Sequence, residues 1–242
     1  MSKNNSSAFT LVEIAIVLLI ISIISASAYY GLTLKNNANL QSIMSEVTKI
    51  KNAVETFEIT YKQLPGDMYN PDNYFTTSSV NGNPATTRGD GNGTISGNEG
   101  IYAFQHLALA NIITGNYNGQ WIYNRMYKGP IANSVFYFTS AYGDPLVLRF
   151  AKVTYSNPDV TVISGAALTR AALTVVDTKA LDTKYDDGNP SLGMIISYTG
   201  SDATANSCVN AGNYATPTDQ NSETLNCYID FRIKRDFYST TN

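Results

Sequence analysis

The sequence predicts an α+β protein in which a long N-terminal helix leads into a globular head built on an antiparallel sheet. Three observations carry that reading. Residues 14–32 contain no charge, and beyond them Leu40, Ile43, Val47, Ile50, Val54, Phe57 and Tyr61 recur three and four apart, the stripe of an amphipathic helix. Residues 135–138, 146–150, 160–163, 193–198 and 228–233 are β-rich runs, the first three divided by Gly143-Asp144-Pro145 and Ser156-Asn157-Pro158, as in strands joined by turns. Two cysteines, Cys208 and Cys227, fall near the C-terminus.

The uncharged segment comes first in the chain. About 20 residues at a rise of 1.5 Å cover the hydrocarbon of a bilayer, so residues 9–32 read as a transmembrane helix. Glu13 stands near its start, where an acid asks for a partner or for the positive end of the helix dipole. With no proline before Pro65, the helix is expected to run from Phe9 to about Tyr61. Three divisions follow: a polar leader over 1–8, a helical spine over 9–62 and a head over 63–242.

Leu64-Pro65-Gly66-Asp67 stops the helix. Residues 71–100 are rich in Asn, Gly, Thr and Ser and read as a loop. Within it Asp90, Asn92, Gly93, Ile95, Ser96 and Glu99 fall at the third, fifth, sixth, eighth, ninth and twelfth positions of an EF-hand calcium loop. Arg88 occupies the first position, where that loop wants an aspartate. Two readings stay open: a calcium site on Asp90, Asn92 and Glu99, or a Gly-rich turn whose Asp and Asn side chains bond their own backbone. Asp182, Asp186 and Asp187 pose the same choice after a helix expected over residues 168–184. A short amphipathic helix from Ile101 to about Ile112 carries His106, the sole histidine, which reads as a packing residue.

Composition excludes several function classes. A net charge of −3 and 14% charged residues leave no basic surface for nucleic acid. No phosphate-cradling loop, nucleophile motif or paired catalytic acids can be named, so the chain is not expected to be an enzyme, and no cofactor beyond calcium is implied. In an exported domain Cys208 and Cys227 would pair, closing a loop worth roughly 3 kcal/mol; two buried free thiols are the other reading.

Ala8-Phe9-Thr10-Leu11-Val12-Glu13 followed by the apolar run resembles the leader and cleavage motif of type IV pilins and type II secretion pseudopilins. The resemblance implies a pilin-like fold with a C-terminal disulfide loop, cleavage between Ala8 and Phe9 by a prepilin peptidase, and methylation of the Phe9 amine. It implies that Glu13 pairs with the Phe9 amine of a neighbouring subunit, within a filament of this or other pilins raised from an inner-membrane assembly platform. The precursor would be a single-pass inner-membrane protein and the product a periplasmic or extracellular filament. The family usually has glycine where this chain has Ala8. The alternative is a membrane-anchored extracytoplasmic binding module, or an adhesive minor pilin that combines both roles.

Overall fold

The computed structural model describes residues 10–75, 87–163, 165–216 and 224–234, without the side chains at 28, 29, 32, 33, 165, 166 and 234. In chain order the elements are α1 (Leu11–Tyr61), α2 (Glu99–Leu109), β1 (Tyr127–Lys128), β2 (Ser134–Ala141), β3 (Asp144–Lys152), α3 (Val175–Tyr185), β4 (Ile195–Thr199), β5 (Val209–Asn210), β6 (Asn213–Tyr214) and β7 (Cys227–Lys234). Short 3-10 turns at Pro71–Asn73, Tyr123–Arg125 and Gly165–Leu168 join them. The layout is the α+β arrangement the sequence predicts. The chain divides into two compact units, residues 1–41 and 42–242.

In the first unit α1 carries no charge over residues 14–34. Its large side chains from Leu11 to Ile24 are at least 47% exposed, so no described part of this chain covers them. Ser22, Ser25 and Ser27 donate their hydroxyls to the carbonyls of Leu18, Ile21 and Ile23 at 2.7–2.8 Å. That back-bonding hides each hydroxyl inside the helix, as an apolar surrounding requires. Among the described residues no helix is long and apolar enough to cross a membrane; the expected span continues into side chains outside the described set.

In the second unit the α1 stripe turns inward: Ile43, Val47, Ile50, Val54 and Phe57 are buried. The sheet beside it has the order β1-β2-β3-β7-β4, antiparallel throughout. Tyr142 and Gly143, both at positive φ, make the tight β2–β3 turn. The register puts Phe136, Phe138, Leu148, Phe150, Ile229 and Phe231 on one face, all of them buried. Phe104 of α2 stacks on Phe138 at 4.9 Å between ring centres.

The opposite face holds Tyr137, Arg149 and Asp230 abreast. Arg149 donates Nε and Nη2 to the two oxygens of Asp230 at 2.6 and 2.7 Å, and its guanidinium lies over the Tyr228 ring. Asp230 is fully buried, so its charge depends on that bidentate pair. The β4 edge is closed against further pairing: Asp186 Oδ2 accepts the Ile195 N–H and the Pro190 carbonyl accepts that of Ser197.

Cys208 and Cys227 form a disulfide with a Cα–Cα separation of 5.2 Å, and among the described residues there is no free cysteine. Both are buried, which pins the loop before β7 to the sheet. Tyr214 reinforces it, donating its hydroxyl to Asp182 Oδ2 at 2.7 Å and bonding Ser197 Oγ at 2.9 Å.

Two expected elements differ. Residues 160–163 form no strand but a single bridge between Val162 and Ile122; Val160 and Val162 are 67% exposed, so their β-branched side chains have no partner face to fill. The helix expected from residue 168 begins only at Val175, because the Ala172 and Leu173 N–H groups donate to the Cys227 carbonyl. Thr174 then caps α3 by accepting the Asp177 N–H.

Asp230→Ala leaves the Arg149 guanidinium without its counter-charge in a mostly buried site and is expected to cost about 3–5 kcal/mol in urea unfolding. The double replacement Arg149→Met, Asp230→Leu should recover most of that loss. A single substitution costing less than about 1 kcal/mol would show that the pair is solvated.

Candidate functional site

The N-terminal end of α1 is closed by its own side chains. Glu13 Oε2 accepts the Thr10 backbone N–H at 2.7 Å and the Thr10 hydroxyl at 2.8 Å, while Thr10 Oγ1 accepts the Glu13 N–H at 3.3 Å. Thr10-Leu11-Val12-Glu13 is therefore a capping box, two side chains reciprocally satisfying helix-end donors. The sequence reading gave Glu13 to the dipole or to a neighbour and missed Thr10, although the Thr-x-x-Glu spacing was there to find it. Ala8 and Phe9 lie outside the described residues.

A second constellation forms in the head, at the end of α1. The Gly66 φ of +95° admits glycine best, and a Cβ there would strike the Glu99 carbonyl. A Cβ on Gly100 would strike the Phe138 carbonyl. These two close approaches lock the Leu64-Pro65-Gly66-Asp67 turn against α2 and α2 against β2. His106 holds the same turn from below: its Nδ1 accepts the Gly66 N–H at 2.9 Å and its Nε2 lies 2.7 Å from the Thr87 carbonyl, which fixes a neutral ring with the proton on Nε2. Burial pushes His106 down to about 4, and its ring lies parallel to Phe57 of α1.

The locked turn delivers Asp67, a residue read from sequence only as part of a helix stop, to the calcium-loop candidates. Ligand oxygens of Asp67, Asp90 and Glu99 all lie within 4.8 Å of one another. Asp67 Oδ1 and Oδ2 accept the N–H groups of Asn92 and Gly93 at 3.0 and 2.8 Å. Glu99 Oε1 accepts the Asp90 N–H at 2.9 Å and Oε2 the Ser96 N–H at 2.8 Å. Asp90 accepts from the Asn92 N–H and amide, and Asn92 Oδ1 from the Thr94 N–H and hydroxyl at 2.8 and 2.6 Å. Arg88 turns away to pair with Asp72.

The cluster thus gathers three carboxylate oxygens of the hard type that calcium takes. Every one of these carboxylate oxygens also accepts an N–H, which is a complete account of the turn without an ion. Burial, and then the neighbouring Glu99 and Asp90 carboxyls, push Asp67 up against the pull of the Gly93 and Gly91 N–H groups. Asp182, Asp186 and Asp187 also converge within 4.8 Å. Their oxygens accept from the Tyr214 hydroxyl and from the N–H groups of Gly188, Met194, Ile195 and Asn189, which again accounts for the turn without an ion.

Residues 3–29 match the model of the prokaryotic N-terminal methylation motif. The chain carries the hallmark of type IV pilins and pseudopilins. The match takes in Thr10, Glu13 and most of the apolar half of α1, the features that composition and capping single out independently. The motif implies a membrane-anchored precursor, processing by a prepilin peptidase and a structural subunit that assembles with other pilins. No curated protein compared with the chain matches it.

His106 sets a pH dependence whose sign follows from its direction. The unfolded chain takes up a proton near 6.5 and the folded chain only near 4, so this contribution is fully present above about pH 6.5 and is lost as pH falls through that window. The loss is on the order of 3 kcal/mol. His106→Gln should flatten the difference between unfolding free energies at pH 7 and pH 4.5; an unchanged difference would mean that another group carries the acid sensitivity.

Proposed function

We propose that this chain is a structural subunit of a type IV pilus or a type II secretion pseudopilus. A prepilin peptidase cuts between Ala8 and Phe9 and methylates the Phe9 amine, and the apolar half of α1 then passes from the inner membrane into the core of a filament at an assembly platform. The observation that carries the reading is the pairing of two facts on one helix: a methylation motif over residues 3–29, and large apolar side chains from Leu11 to Ile24 that no described part of this chain covers. Lipid covers such a surface before assembly, and the same helices of neighbouring copies cover it afterwards.

Glu13 has a task in each setting. Within one chain it is satisfied by Thr10, which lowers the cost of placing a carboxylate at the edge of hydrocarbon. In the filament the cationic amine of a neighbour's Phe9 takes its place as counter-ion, and that pairing fixes the axial stagger of adjacent subunits. The head, with its closed sheet edge and buried disulfide, is carried outside the core.

Glu13→Ala separates assembly from anchoring. The variant is expected to remain membrane-inserted and folded, with recovery in sheared filaments reduced by about tenfold or more, as expected where a buried charge loses its partner. Undiminished recovery would remove the carboxylate from the assembly mechanism and favour an anchored binding module.

A further inference from the structure

Asn92-Gly93 is one of three Asn-Gly steps in the chain, with Asn81-Gly82 and Asn118-Gly119. An Asn-Gly step can cyclise: the glycine nitrogen attacks the asparagine side-chain carbonyl, ammonia departs, and water opens the resulting succinimide. Three groups decide how fast this happens: a base for the nitrogen, donors for the developing oxyanion, and an acid for the leaving amine.

At Asn92-Gly93 the base and the oxyanion donors are in place, and a carboxylate that can relay a proton faces the leaving amine. The nucleophile's N–H points at a carboxylate, Gly93 N to Asp67 Oδ2 at 2.8 Å. The electrophile's oxygen, Asn92 Oδ1, accepts two hydrogen bonds from Thr94, the N–H at 2.8 Å and the hydroxyl at 2.6 Å, which is where negative charge builds when the carbonyl is attacked. The departing group, Asn92 Nδ2, lies 2.8 Å from Asp90 Oδ2. Asp67 and Asp90 offer oxygens within 4.8 Å of each other. Asn92 is exposed, and a Cβ built on Gly93, at φ +84°, would meet nothing within 4 Å.

We propose that the Asp67, Asp90 and Thr94 side chains make Asn92-Gly93 a self-modifying site, converting Asn92 to aspartate or isoaspartate with release of ammonia. Asp67 takes the Gly93 proton as the bond from Gly93 N to Asn92 Cγ forms. Thr94 holds the oxyanion. The proton passes from Asp67 to Asp90 and on to Nδ2, which leaves as ammonia when the Cγ–Nδ2 bond breaks. Water then adds to either succinimide carbonyl, so the net change is asparagine plus water to an acid plus ammonia, with no redox change. The product adds a carboxylate beside Asp67, Asp90 and Glu99, and the isoaspartate form also lengthens the backbone inside a turn held by Asp67 and Glu99. In a subunit that stays in a filament for long periods, the reaction marks age on an exposed loop.

Asn118-Gly119 is the internal comparison. Its Oδ1 accepts the Gln120 N–H, but among the described residues no carboxylate is bonded to the Gly119 N–H. The full-length chain in detergent is incubated at neutral pH, folded or in urea, and the peptides bearing Asn92 and Asn118 are followed by mass spectrometry, with isoaspartate resolved by retention time. In the folded chain Asn92 should convert faster than Asn118 by about tenfold or more, and urea should bring the two together. Asp67→Asn and, separately, Thr94→Val should slow Asn92 and leave Asn118 unchanged, with near-UV circular dichroism confirming a native head; Thr94→Val keeps the test alive if Asp67→Asn unfolds the loop. Equal rates at the two sites in the folded chain, or an Asn92 rate that rises in urea, would overturn the proposal and show that the turn protects the residue.

Discussion

An apolar helix surface has to be covered by something other than water, and α1 meets that requirement in two different ways. From Ile43 onward the stripe is covered by the chain's own head, with Val54 and Phe57 buried. From Leu11 to Ile24 no described part of the chain covers it. Burial of apolar area is worth about 25 cal/mol per Å², so a helix exposing that many large aliphatic side chains on all sides is stable only in lipid or against other helices. The methylation motif over the same residues names a setting in which both occur in turn.

The head is held together by buried polar bonds. Asp67 and Glu99 gather the backbone of residues 90–96, and His106 ties the turn after α1 to α2 and to Thr87. Each of these side chains is buried, so each bond is made in a medium where leaving it unmade would be costly. The disulfide and the Tyr214 to Asp182 bond do the same at the other end of the sheet.

The legible parts of this fold were those set by near neighbours in the chain. The α1 stripe, its stop at Leu64-Pro65-Gly66 and the strands around Phe136, Leu148 and Ile229 follow from periodicity or from turn chemistry, whereas the sequence left the Cys208 to Cys227 pairing open beside two free thiols and the structure forms the bond. What was missed depends on distant contacts. Asp67 joins Asp90 and Glu99 only because the Gly66 and Gly100 close approaches stack the turn on α2. Residues 172 and 173, helical by spacing, are claimed by the Cys227 carbonyl more than fifty residues later in the chain. Val160 and Val162 have strand propensity but no neighbouring strand beyond one bridge to Ile122, and propensity without a partner does not make a strand. The Thr10 cap is set by near neighbours, Thr10 and Glu13 three residues apart, and is legible as a Thr-x-x-Glu spacing.

The central claim is that the first half of α1 is exposed because it is a processed filament segment. The mass of the N-terminal peptide of the protein isolated from native membranes or filaments tests it most directly. The account predicts a chain that begins at Phe9 with a methyl group on its amine. A chain that still begins at Met1 or Ser2 would contradict it, leaving Glu13 with its Thr10 cap alone and the helix as a plain anchor.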